Sequence, residues 1–138
     1  MNEMLRKIIE IRHDEKGSVR ELTENRMIIS DSEKTLGYAY QQGMLVISHE
    51  RTIKNKPDMD TLNRMNNLAI LGKHIFRPEN SSYCFQWESR IGDDCSENSL
   101  RQIVSYSENQ FALGYKILSS RGEKTRERAL KKLSNYLM

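Results

Sequence analysis

The sequence predicts an α+β fold: an antiparallel sheet in the order helix-strand-strand-strand-helix-strand-strand-helix, plus a C-terminal basic helix. Apolar residues alternate with period two in "TLGYAYQQGMLVISHER" and "SYCFQWESRI", as strands with one buried face require. They recur at spacings of three and four in "DTLNRMNNLAILG" and "SLRQIVSYSENQFALGYKIL", which is an amphipathic helical pattern. The strands fall into two blocks separated by helices, an arrangement typical of α+β rather than parallel α/β domains.

Taken in order, residues 2–10 carry Leu5, Ile8 and Ile9 on one helical face, although Ile9 and Ile11 also fit a strand. In "SVRELTENR", Ser18 precedes Glu21 by three residues. That is a capping-box pattern, read as a short helix or a loop. "RMIIS" is a short β-prone run. Residues 35–40 and 44–53 form a hairpin around Gln41-Gln42-Gly43, read as a three-residue loop with a bulge at the glycine. Pro57 ends that strand, and Asp58 or Asp60 caps a helix that runs to Gly72. "KHIFR" and "SYCFQWESRI" are the next two strands; Tyr83, Phe85 and Trp87 share one face of the second. Residues 97–119 form a long helix whose stripe is Leu100, Val104, Ser107, Phe111, Gly114 and Leu118. Its small residues suggest close approach to another backbone, with Gly37 and Ala39 as the matching gaps. A break at "SSRGE" separates a last helix with Arg126, Leu130, Leu133 and Leu137 on one stripe.

The 138 residues are 37% hydrophobic and 30% charged, with net charge +3. The division expected is one domain over residues 1–120 and a basic helical tail over 121–138. The tail holds Arg121, Lys124, Arg126, Arg128, Lys131 and Lys132 against Glu123 and Glu127. Its net charge is therefore +4, and residues 1–120 carry −1. A tail of this kind is usually a solvated helix face and less often an anion-binding arm; these six residues are the candidate anion site. No apolar run reaches the ~18 residues of a membrane span. The opening segment is charged where a signal peptide needs an apolar core, so a cytoplasmic protein without membrane contact is expected. Cys84 and Cys95 are too few for a disulfide framework and are expected to be reduced.

The chemical motifs are weak. "GDD" at 92–94 and "DMD" at 58–60 read better as turn and cap residues than as metal carboxylates. The His and Cys residues lack ligand spacing, so no metal or other cofactor is expected. Neither a nucleophile motif nor a glycine-rich phosphate loop is present, so no catalytic residue is assigned. The Tyr83-Phe85-Trp87 ladder could stack bases, but core packing is the commoner use of such rings.

The quoted hairpin, central helix, aromatic strand and long helix together resemble, in order and length over about residues 1–120, the bacterial type III secretion chaperones and the related YbjN-like fold. The resemblance implies a non-enzymatic homodimer that holds an extended segment of a protein partner such as a secreted effector. Strand addition would place that segment on a sheet edge, with Leu36, Tyr38, Tyr40, Met44 and Val46 as partner-binding residues. The central helix, through Leu62, Met65, Leu68 and Leu71, is similar to the family's dimer element. These chaperones are usually acidic, whereas this chain has a pI near 8.9. A nucleic-acid-binding protein using the tail, or an antitoxin- or immunity-type partner protein, are the other readings.

Overall fold

A computed structural model of the chain describes residues 1–12, 17–31, 33–69, 71–120 and 122–134. Helix α1 (Glu3–Ile11) precedes four strands, β1 (Ser18–Thr23), β2 (Arg26–Asp31), β3 (Lys34–Gln41) and β4 (Met44–Thr52). Then come α2 (Met59–Leu68), β5 (Lys73–Arg77), β6 (Ser82–Arg90), α3 (Glu97–Ser119) and α4 (Glu123–Ser134). The strands form one antiparallel sheet in the order β1-β2-β3-β4-β6-β5. The chain meanders through β4, leaves the sheet as α2, re-enters at the far rim as β5, and turns back so that β6 fills the place beside β4.

The predicted α+β antiparallel architecture is therefore the observed one, with one strand more than expected. The segment "SVRELT" is β1, not a helix or loop. Its register runs Val19 opposite Ile29 and Glu21 opposite Met27. The local capping signal loses because a ladder with β2 satisfies more backbone groups than a single capped turn. The β3–β4 turn also differs from expectation. Gln41 pairs with Met44, leaving a two-residue loop. Gln42 and Gly43 have φ of 53° and 77°, the left-handed pair of a type I′ turn, whose twist matches the flanking strands.

Three helix starts carry side-chain caps, and that of α2 is one of the two expected. The side chains of Asn2, Asp58 and Ser96 accept the backbone N–H of Leu5, Asp60 and Ser99. Helix α2 ends at Leu68 rather than at Gly72. Ala69 is already extended, and Leu71 is held to α3 by both backbone groups. Its N–H donates to Tyr106 Oη at 3.2 Å, and its carbonyl accepts from the same hydroxyl at 2.8 Å.

The helices cover one sheet face. Met27, Ile29, Leu36, Tyr38, Tyr40, Leu45, Ile47, Tyr83, Phe85 and Trp87 point into that layer and are buried, with Leu5, Ile8, Leu100, Val104, Phe111 and Ile117 above them. Gly114 sets how close α3 comes. A Cβ there would collide with Tyr83 Oη and lie 2.9 Å from His74 Nδ1. The small-residue stripe thus does let the helix approach a strand, but the strands are β5 and β6. Gly37 lies on the opposite face, its own close neighbour being the Ser48 carbonyl of β4. Helix α4 packs Ala129, Leu130 and Leu133 into the same core cluster as the sheet, so the packing shows no boundary at residue 120. Leu137 lies outside the described residues.

Candidate functional site

The antiparallel sheet has two rims, and the sequence gives them opposite treatments. At the β5 rim, Asn66 on α2 lays its side-chain amide along the strand. His74 N–H donates to Asn66 Oδ1 at 2.7 Å, and Asn66 Nδ2 donates to the His74 carbonyl at 2.9 Å. One amide thereby imitates the donor–acceptor pair of a neighbouring strand and occupies the rim. At the β1 rim every residue is exposed. Among the described residues no strand lies beyond β1, and none of its backbone groups is bonded outside the ladder with β2. Its two large apolar side chains, Val19 and Leu22, are 44% and 41% exposed. Leu22 is the residue left without a partner where the register with β2 shifts between Glu21 and Thr23, a bulge that interrupts the alternation of the strand.

The sheet face away from the helices adjoins this rim. The cross-strand row Arg20–Ile28–Gly37–Ser48–Gln86–Lys73 runs the whole width of the sheet. Ile28, Gly37 and Ser48 are half-buried. A cleft of about 480 Å³ opens beside the far end of that row, lined by Val46, Gly72, Lys73, Gln86, Trp87 and Glu88. A second cleft, of about 590 Å³, lies at one end of β3 and β4. There Arg51 stacks over Tyr115 with its guanidinium carbon 3.9 Å from the ring centre, and it pairs with Glu33.

The expected site residues scatter across this frame. Leu36, Tyr38 and Tyr40 face the helices and are core. The Tyr40 hydroxyl lies 2.7 Å from the Ile91 carbonyl and 2.8 Å from Asp93 Oδ1. Burial, followed by the Asp93 carboxylate, pushes its pKa up to about 12. Met44 and Val46 are half-buried on the open face. The hairpin that holds all five is not an edge, because β3 is paired with both β2 and β4, and β4 with both β3 and β6. Its backbone groups are already used within the sheet. Of the residues expected at a dimer contact, Leu62 and Met65 are buried within the chain, Leu68 is half-buried, and Leu71 is exposed beyond the helix end. On α4, Lys124, Arg128, Lys131 and Lys132 are exposed, while Arg126 is half-buried and donates to the Ser120 carbonyl at 3.3 Å. Arg121 lies outside the described residues.

Sequence reasoning missed the buried histidines. His74 Nε2 is 3.2 Å from Gln110 Oε1, and Nδ1 is 2.6 Å from Tyr83 Oη. An amide oxygen only accepts, so Nε2 carries the proton and Nδ1 accepts from the tyrosine. Burial lowers the His74 pKa to about 4. His49 sits edge-on to Tyr38 and Phe111. Burial, helped by the Arg12 cation, lowers its pKa to about 3. Arg12 is itself buried and pairs with Glu108 of α3. The available signal was position: His49 continues the Leu45–Ile47 face of its strand.

Among the described residues no group of His, Cys, Asp and Glu is placed to hold a metal ion, and no helix is long and apolar enough to cross a membrane. Both cysteines are free thiols; burial raises the pKa of Cys84.

Among the described residues the arrangement defines a helix-backed antiparallel sheet with one closed and one free rim. A solved structure of this architecture is that of YbjN, a proposed transcription regulator from E. coli. It aligns with a TM-score of 0.58 over 93% of each chain at 10% sequence identity. At that identity the likeness is one of fold, and the chain has a YbjN-like fold. No family model matches the sequence. No curated protein matches it either.

Proposed function

We propose that this protein is a non-enzymatic adaptor that holds an extended segment of a partner protein by strand addition at β1. The asymmetry of the rims carries the reading. A free edge strand is an aggregation hazard that proteins normally cover, and here Asn66 covers only the other one. Such an edge offers main-chain hydrogen bonds for affinity and alternating side-chain positions for specificity.

The charge pattern disfavours self-pairing. Two copies of β1 related by a two-fold axis through the sheet must align residues whose numbers sum to an even value, since directly opposed side chains share a face. The two registers with the longest overlap put Arg20 against Arg20, or Glu21 against Glu21. Like charges directly opposed across strands destabilise the pair. A foreign strand carries no such constraint. A segment with an acidic residue opposite Arg20 and an apolar one near Val19 or Leu22 fits best.

The resemblance to type III secretion chaperones makes a secreted effector the favoured partner class, and a cytoplasmic setting belongs to the same reading. The homodimer remains part of it. The apolar surface that α2 and its C-terminal end can give to a dimer is limited to Met59, Leu68 and Leu71, because Leu62 and Met65 are used internally.

The test is photo-crosslinking in the native cell, with the reactive residue placed at Leu22 or, as a control, at Arg6. Partner protein should crosslink from Leu22, and amide exchange in β1 should slow in the complex. Val19→Lys with Leu22→Lys should abolish capture without unfolding the chain, since both side chains are exposed. Undiminished capture by that variant, or protection located away from β1, would refute the proposal.

A further inference from the structure

Helix α4 buries Ala129, Leu130 and Leu133 and turns its other side to solvent. At about 100° per residue, Lys124, Arg128, Lys131 and Lys132 share an arc of about 100° opposite the buried stripe, and they extend about 12 Å along the axis. Lys116 of α3 shares with three of them a cleft of about 370 Å³, lined by Lys116, Thr125, Arg128, Ala129, Lys131 and Lys132. No carboxylate lines it. The nearby Glu127 is held on the other flank, where both of its oxygens accept from Arg64 at 2.9 and 3.1 Å. Among the described residues no acidic side chain pairs with these five cations.

We infer that the α3–α4 face is a second binding site, separate from the β1 rim, for the phosphodiester backbone of a nucleic acid. The five cations contact phosphates without reading bases. A row of about 12 Å matches three to four phosphates of one strand at a rise of about 3.4 Å. The lining contains no aromatic ring on which a base could stack, and its cations are spread along one exposed helix face, as suits phosphate contacts that carry no sequence information. An anionic membrane is a poorer fit. Interfacial helices place apolar side chains beside their cations, whereas the apolar residues of α4 face the core.

The experiment uses the full chain and a labelled 20-nucleotide mixed-sequence DNA, single-stranded or duplex, followed by fluorescence anisotropy between 50 and 200 mM NaCl. Four phosphate contacts give log–log salt slopes of about −3.6 for duplex and about −2.8 for a single strand. Affinity then falls about 150-fold and about 50-fold over that range, and the slope identifies the form bound. Arg128→Glu with Lys132→Glu should weaken binding about tenfold or more at 50 mM and flatten the slope by about two. Arg6→Glu with Arg26→Glu makes the same change in net charge elsewhere and should leave binding within about twofold. A slope shallower than about −2, an equal loss from the Arg6/Arg26 variant, or tighter binding of polyglutamate or of phosphatidylserine vesicles would overturn the inference.

Discussion

Acid should unfold this protein through His49 and His74. Both are buried and neutral, with pKa values lowered to about 3 and about 4, against about 6.5 in an unfolded chain. The unfolded state therefore binds protons that the folded state refuses. Stability is complete above pH 6.5 and is lost as pH falls, down to about 4 for His74 and about 3 for His49. Each pH unit within that window costs about 1.4 kcal/mol per histidine. Between pH 7 and pH 5 each ring accounts for about 2 kcal/mol, and the pair for about 4 kcal/mol. Domains are typically stable by about 5–15 kcal/mol, so the loss is readily measured. Urea unfolding at half-unit pH steps, for the wild type and for His49→Phe and His74→Gln, tests the account. The phenylalanine fits the ring-lined site between Tyr38 and Phe111. Each variant should lose about half of the pH dependence, whatever its stability at pH 7. A wild-type loss below about 1 kcal/mol between pH 7 and 5, or variants with unchanged slope, would refute the reasoning.

Gly114→Ala should cost about 1–3 kcal/mol in urea unfolding, because its methyl group overlaps a fully buried Tyr83 that cannot swing away. Leu130→Ala should cost about 2–5 kcal/mol. Truncation after residue 120 should expose the core beneath α4 and leave a chain with a broadened thermal transition. Asn66→Ala should strip the β5 rim of its cover, and light scattering at rising protein concentration should then show association that the parent lacks.

Much of this architecture is local and was legible in the residues. Period two in residues 36–40 and 83–87, spacings of three and four in residues 100–118, and the cap at Asp58 each act within a few positions, so they mark strands and helices without knowledge of neighbours. Which strand lies at a rim is not local. Leu36, Tyr38 and Tyr40 are expected to meet a guest strand because the resemblance implies strand addition and the hairpin reads as the edge. Only the order of six strands shows that β3 is enclosed. In "SVRELT" the few apolar positions and a capping pattern concealed a strand, since an edge strand exposed on both faces carries no alternation to detect. The histidines were legible as residue types only. Their burial, and hence their refusal of protons, comes from α1 and α3 closing over the sheet, with Gly114 setting the gap. Short-range pattern thus specified the pieces, while the assembled sheet and its helical cover decided which pieces meet water, because exposure depends on what packs across the chain from far along it.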